Sequence, residues 1–286
     1  MTAVTGPEAA PASAAAPAPG WPRRMVTHLG VWLAVLFTRP RRSWRTPGFK
    51  ALVLAHRWQA AVALGLVLLA MLVVDPLAAE VKRAPRFVIG IAEDISDLGR
   101  SGYILIPVAV LILWIAALLR PGLDRLSRAV LAAFVVRLGF VFVAVGLPGL
   151  IGTVLKRWIG RVRPSELGHW AYQPLSWRSE YASLPSGHTI TAFAALVAIG
   201  AVWPAARPVL WVYALLVGVS RVVVSAHFPS DVIAGAAFGA FGAILVREWF
   251  ASRGLAFTAG PDGVVRARPG PPAPRVLRAL ATAVER

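Results

Sequence analysis

The stretch LPSGHTITAFAALVAIGAV, residues 184–202, decides the fold. It opens on a polar turn, Pro185-Ser186-Gly187-His188, and then runs to Val202 without a charged residue. A helix-starting residue ahead of an apolar run predicts a membrane helix from about His188 to Val202. A second polar cluster lies upstream, Lys156-Arg157-Trp158-Ile159-Gly160-Arg161-Val162-Arg163-Pro164. A third lies downstream, Ser220-Arg221 and then His227-Phe228-Pro229-Ser230-Asp231. Polar groups in or beside membrane spans are expensive, so three such clusters ask for a function.

Composition agrees with a membrane protein. Hydrophobic residues make up 57% of the 286-residue chain, charged residues 15%, and the mean hydropathy is +0.67. A soluble domain carries about 45–50% apolar residues, even by a count that includes glycine. The expected fold is all-α: a polytopic membrane protein with six transmembrane helices in a bundle. The spans fall near Ala60–Val74, Tyr103–Leu119, Ala129–Leu155, His188–Val202, Val209–Ala226 and Val232–Val246. Asp75-Pro76 ends the first, and the third is expected to bend at Pro148.

The chain divides into three regions. Residues 1–50 form an Ala/Pro-rich disordered tail and a basic interfacial segment, with Arg39, Arg41, Arg42 and Arg45 beside the apolar centre Val31–Phe37. Residues 51–250 form the six-helix domain. Residues 251–286 form a basic, Pro/Gly-rich tail with an amphipathic patch near Val276–Val284. No signal-peptide pattern precedes the first span, so no cleavage is expected.

The formal net charge is +17. Basic residues crowd the tails and loops, which indicates membrane orientation and anionic headgroups rather than nucleic acid. With no cysteine, thiolate catalysis and disulfides are excluded. The positive-inside rule puts both termini in the cytoplasm. The three polar clusters then fall together on the outer face of the cytoplasmic membrane. The basic loop Lys156–Arg163 breaks the charge bias there, as a loop whose cations serve chemistry would.

Each cluster alone has a plain structural alternative. Lys156 and Arg163 are seven apart, two turns on one helix face, and suit an oxyanion; a basic run against headgroups is the alternative. Ser186 and Gly187 at a helix start offer free N–H groups to an anion beside His188; a simple cap is the alternative. Arg221, inside an apolar run, needs a partner or a cavity, or it snorkels. His227 and Asp231 are four apart, so the carboxylate can set the imidazole tautomer; a structural pair is the alternative.

Together the clusters describe phosphoryl transfer. His227 attacks phosphorus and forms a phosphohistidine, and Asp231 orients it. His188 protonates the leaving oxygen and then activates water, a role worth ~10²–10⁴ in rate. Lys156, Arg163, Arg221 and the Ser186 and Gly187 N–H groups stabilise transferring charge. Too few further His, Asp or Glu lie nearby for a metal, and no cofactor is expected.

The pattern resembles the type 2 phosphatidic acid phosphatase superfamily. Lys156 with Arg163-Pro164, Pro185-Ser186-Gly187-His188, and Ser220-Arg221 with His227 and Asp231 match its three motifs in order and spacing, over about the second half of the chain. The resemblance implies metal-independent removal of phosphate from a lipid phosphate or pyrophosphate, with membrane lipids as neighbours. Substrates of equal standing include phosphatidic acid, phosphatidylglycerol phosphate, undecaprenyl pyrophosphate and lipid A. The alternatives are a phosphotransferase passing the group to another lipid, and a non-catalytic binder or transporter. The loop Ser165–Leu184, with His169, Trp170, Tyr172 and Trp177, either anchors at the interface or contacts substrate. Ala78–Arg100, with Glu93, Asp94, Asp97 and Arg100, is a second candidate for substrate selectivity, with a plain solvated loop the favoured expectation. The small residues Gly235, Gly239 and Gly242 fit bundle packing or a dimer equally.

Overall fold

The computed structural model describes residues 20–38, 51, 54–80, 84–166, 170–260 and 262–285. The expectations for residues 1–19, for Arg39, Arg41, Arg42 and Arg45, and for His169 lie outside the described residues.

Helix α1 is Trp21–Thr38, and α2 is Arg57–Leu69. After α2 a wider turn, Ala70–Val74, leads into α3, Asp75–Glu80. Then come α4 (Arg86–Asp97), α5 (Gly102–Leu118), α6 (Arg125–Ile159), α7 (Gly187–Val202), α8 (Arg207–Val223) and α9 (Pro229–Ser252). An antiparallel hairpin, β1 (Phe257–Ala259) with β2 (Val265–Ala267), and helix α10 (Ala273–Val284) complete the chain.

Among the described residues, five helical stretches are long and apolar enough to cross a membrane: Arg57–Ala78, Arg86–Leu118, Arg125–Ile159, Pro204–Val223 and Pro229–Ser252. The remaining expected span, α7, is a shorter apolar helix of 16 residues. The outer helices present bare apolar side chains, such as Leu64, Leu68, Leu72, Ile106 and Val110. A helix satisfies its own backbone, so an apolar outer face suits hydrocarbon as its solvent.

Helix α7 sits at the centre. Ile190, Ala192, Ala194, Ala195 and Ala198 are all fully buried, and α6, α8 and α9 pack around them. Small residues there let backbones close in. A Cβ on Gly239 of α9 would sit 2.3 Å from the Ile190 carbonyl oxygen, and one on Gly235 would sit 2.7 Å from that of Ser186. Gly235, Gly239 and Gly242 of α9 thus face neighbours within the bundle.

Helix α6 starts on Asp124, whose Oδ1 accepts the Ser127 amide at 2.8 Å. It runs unbroken through Pro148, and Pro148 packs against the open side of Gly242. At the far end, Phe140, Phe250 and Phe257 stack edge to face and bring the hairpin onto the bundle. Val276, Ala279 and Ala283 press α10 against it too, and Arg120 donates to the Ala283 carbonyl at 2.9 Å. The amphipathic patch foreseen near Val276–Val284 is this helix.

The segment Ala78–Arg100 departs from the expected solvated loop. It contains α4, whose Ser96 is buried and packs beside α8. Tyr213 ties the end of this segment down by donating to the Leu98 carbonyl at 2.9 Å.

Candidate active site

The predicted residues meet where helix ends converge. Lys156 lies in the last turn of α6, His188 in the first turn of α7, Arg221 in the last turn of α8, and Asp231 in the first turn of α9. The Ser186 amide donates to the Asp231 carbonyl at 3.0 Å, which joins the starts of α7 and α9 and, contrary to expectation, leaves that N–H unavailable to an anion.

The first expectation to be corrected is that Lys156 and Arg163 share a helix face. Helix α6 stops at Ile159, because Gly160 takes a left-handed φ of 62°. A side chain there would also strike the Gln173 carbonyl, with Cβ at 1.8 Å. The chain turns back, pairing Val162 with Ala171 and the Arg163 amide with the Glu180 carbonyl at 2.9 Å. Arg163 reaches the site from this loop, where its Nε donates to the Ser179 carbonyl at 2.9 Å.

Ser186 takes the cap position of α7, and its carbonyl accepts the Ile190 amide at 2.9 Å. Its hydroxyl does not cap the helix, contrary to expectation. It accepts from Thr189 Oγ1 at 2.9 Å, so the first-turn amides of α7 have no side-chain cap. Gly187 brings the backbone close to the lysine: a Cβ there would lie 2.9 Å from Lys156 Nζ, the flexible end of that side chain.

His227 and Asp231 owe their geometry to Pro229. Proline at the first helical position starts α9 and leaves Asp231 at the third, curled back on the chain. Asp231 Oδ2 accepts the Phe228 amide at 2.9 Å and the Ser183 hydroxyl at 2.6 Å. His227 Nδ1 lies 3.7 Å from the same oxygen and 3.5 Å from Ser183 Oγ. The first distance is an ion-pair separation, longer than a hydrogen bond. Burial, the largest influence, brings the His227 pKa down to about 4 although Asp231 pulls it up. At neutral pH the imidazole is therefore uncharged and keeps a free lone pair.

The cations divide into two kinds. Among the described residues no carboxylate pairs with Lys156, Arg163 or Arg221. Arg221 donates through Nη1 to the Ser96 hydroxyl, and its buried Nε is unpartnered. Burial lowers the Arg163 pKa. Arg161 is the opposite case. It is fully buried and bridges Asp75 Oδ2 and Asp231 Oδ1, each at 2.7 Å. Burial works against its charge, but Asp231 and Asp75 more than reverse this and raise its pKa.

Sequence reasoning missed Asp75, Arg161, Ser183, Ser230 and Ser96. Arg161 stood in the quoted basic run, and Asp75 served only to mark the end of a span. A carboxylate that closes an apolar run was the available signal. The serines carried none.

A cleft of about 640 Å³ opens beside Lys156, Gly187 and His188. It continues past Leu105, Val145, Gly146 and Leu150, between α5 and α6. Lys156 and Arg100 give its lining positive charge, Ser101, Thr153 and Thr191 add hydroxyls, and the remaining wall is apolar.

Fold and site together define a mostly helical, multi-pass membrane protein whose helix ends gather a buried His–Asp pair and several cations. The chain belongs to the PAP2 superfamily, whose model matches residues 137–255. A lipid A 1-phosphatase of Rhizobium johnstonii is 38% identical over 232 residues, covering 78% of this chain and 92% of that protein. Its namesake in Rhizobium etli is 34% identical over 213 residues, covering 72% and 91%. Phosphatidylglycerophosphatase B of Bacillus subtilis is 35% identical over 105 residues, covering 33% of this chain and 48% of that one. The crystal structure of a PAP2-type phosphatidylglycerolphosphate phosphatase from Bacillus subtilis aligns with a TM-score of 0.41 at 20% identity, covering 78% of this chain and 94% of that one.

Proposed function

We propose that the chain is a lipid phosphatase of the PAP2 type that transfers phosphate to His227 and then to water. One observation carries this reading. Arg163 and Arg221, cations without carboxylate partners, face a neutral imidazole that is backed by a carboxylate, and a third such cation, Lys156, stands beside His188. A site built only to hold a headgroup does not need the buried His–Asp pair.

Atoms and charges balance through two displacements at phosphorus. The free nitrogen of His227 attacks phosphorus, and the bond from phosphorus to the lipid oxygen breaks. His188 gives its proton to that oxygen, and the lipid leaves. The positive charge on the phosphorylated imidazole is matched by Asp231. His188, now neutral, takes a proton from water, and the resulting oxygen attacks phosphorus. Phosphate departs and His227 returns to its resting form. Throughout, the three cations and the uncapped amides of α7 hold the charged oxygens. Fixed donors of this kind usually lower the barrier more than any other contribution.

The cleft suits a lipid phosphate, with the headgroup beside Lys156 and an acyl chain along Leu105 and Leu150. The names of the two Rhizobium relatives make the 1-phosphate of lipid A the first substrate to test. We place the site on the outer face of the inner membrane, with α7 as the sixth span and both termini in the cytoplasm. Residues 51–250 then form the catalytic unit.

The test is a purified preparation in detergent with a chelator. It is offered lipid A, phosphatidylglycerol phosphate, phosphatidic acid and undecaprenyl pyrophosphate. Phosphate release that is lost in His188→Ala and His227→Ala supports the reading. A requirement for added magnesium, or phosphate appearing on a lipid acceptor in place of water, counts against it.

A further inference from the structure

Behind the His–Asp pair lies a second carboxylate that the reaction does not touch. Asp75, Arg161 and Asp231 are each fully buried, and they form one chain of charges running from the end of the first span to the site. Arg161 splits its fork. Nη1 donates to Asp231 Oδ1 and to Ser230 Oγ, both at 2.7 Å, and Nη2 donates to Asp75 Oδ2 at 2.7 Å. Asp75 also accepts the Ser230 amide at 3.0 Å and the Ser230 hydroxyl. The guanidinium lies 4.5 Å from the centre of the Phe228 ring, between the two catalytic side chains in sequence.

Backbone geometry serves this contact. The wider turn at Ala70–Val74 comes immediately before Asp75. One extra residue in a turn rotates the next side chains around the helix axis, and such turns recur at functional sites. Here the next side chain is the Asp75 carboxylate, buried against α9.

We propose that Asp75 is a positioning residue: by sharing Arg161 it holds Asp231 in place and leaves that carboxylate's charge for His227. This rests on the role given to His227 above. The charge count shows why a second acid is needed. Arg161 alone would neutralise Asp231, and a neutral pair behind His227 would not support a positive imidazole. With Asp75 present the trio carries one net negative charge. The other groups facing His227 are the cations Arg163 and Arg221 and the imidazole of His188. They oppose a charged imidazole, and the charge that favours it is that of Asp231, with the rest of the trio behind it.

The experiment compares wild type, Asp75→Asn, Asp75→Asn with Arg161→Gln, and His227→Ala in detergent. Thermal unfolding is recorded for each. Asp75→Asn leaves a neutral pair and is expected to lower kcat by about 10- to 100-fold, by analogy with the loss of an outer partner of a metal-bound histidine. KM should change little. The acid limb of kcat/KM should move to lower pH, because the imidazole loses negative charge nearby. In the double variant Asp231 stands alone with its charge, so kcat should rise above the single variant and the limb should return toward wild type. A purely structural brace predicts that the second lesion makes matters worse.

Wild-type kcat in Asp75→Asn, or a double variant no better than the single, overturns the proposal. If Asp75→Asn does not fold, the double variant decides, since it removes the buried guanidinium together with the carboxylate it has lost. Activity near wild type with an unmoved acid limb then supports the proposal, and a folded double variant as inert as His227→Ala overturns it. Failure of both to fold would give Asp75 a purely structural role and overturn it too. The two readings separate cleanly: turnover by His227→Ala defeats the nucleophile assignment, whereas inert His227→Ala beside a normal Asp75→Asn defeats only this inference.

Discussion

The Ser186 amide donates to the Asp231 carbonyl at 3.0 Å, and this bond joins the helix that begins with His188 to the helix that begins at Pro229. Two histidines far apart in the chain are thereby set in one frame by main chain alone. Main-chain bonds of this kind survive side-chain replacement, so variants at His188 and His227 test chemistry with this frame kept.

Replacing Ser183 by alanine tests the support of the Asp231 carboxylate. Its hydroxyl donates to Asp231 Oδ2 at 2.6 Å in a fully buried setting. A hydrogen bond to a charged group is worth about 1.5–3 kcal/mol, so kcat should fall by roughly 10- to 100-fold. KM for the same lipid should hold, and steady-state kinetics on one substrate reads both.

Replacing Ser96 by alanine tests the cradle. Ser96 accepts from Arg221 and holds that guanidinium at the edge of the site. Its loss should raise KM for the lipid phosphate several-fold and leave thermal unfolding nearly unchanged. An unchanged KM would show that Arg221 needs no such tether.

Packing makes a separate prediction at Gly239. Its missing Cβ would lie 2.3 Å from the Ile190 carbonyl, which belongs to a backbone that cannot move aside. Gly239→Ala should cost about 1–3 kcal/mol, in the range of other overpacked cores, and lower the unfolding temperature in detergent. Gly65, with open space around it, should tolerate the same change.

Acid should weaken the fold through His227. Its pKa drops from 6.5 to about 4 on folding, chiefly by burial. Between those values the unfolded chain binds the proton and the native chain does not, so stability falls as pH is lowered through that window. The full penalty, reached below the folded value, is about 3 kcal/mol at ~1.4 kcal/mol per unit. Thermal unfolding of wild type and His227→Gln from pH 7 to pH 4 measures it, and the variant should lose less stability.

Much of this architecture was legible from spacing. The apolar runs gave the helices, and the ends of those runs gave Lys156, His188, Arg221, His227 and Asp231. Helix α4 escaped because its polar face, with Glu93, Asp94 and Asp97, looks like a loop until Ser96 is found buried. The shared helix face for Lys156 and Arg163 failed at Gly160, where the carbonyl of a distant residue, Gln173, leaves room for no side chain. Asp75 was hidden for a similar reason. Its partner Arg161 is 86 positions away, and no periodicity connects them.

The most direct test of the central claim is to trap the phosphoryl group on the enzyme. Lipid A labelled at phosphorus is mixed with His188→Ala, which can accept the group but should release it slowly, and the protein is digested under alkaline conditions. The account predicts a label on the peptide carrying His227 that is stable to alkali, is lost in acid, and never forms in His227→Ala. Turnover of lipid phosphate by His227→Ala, or a label found on another residue, would contradict it.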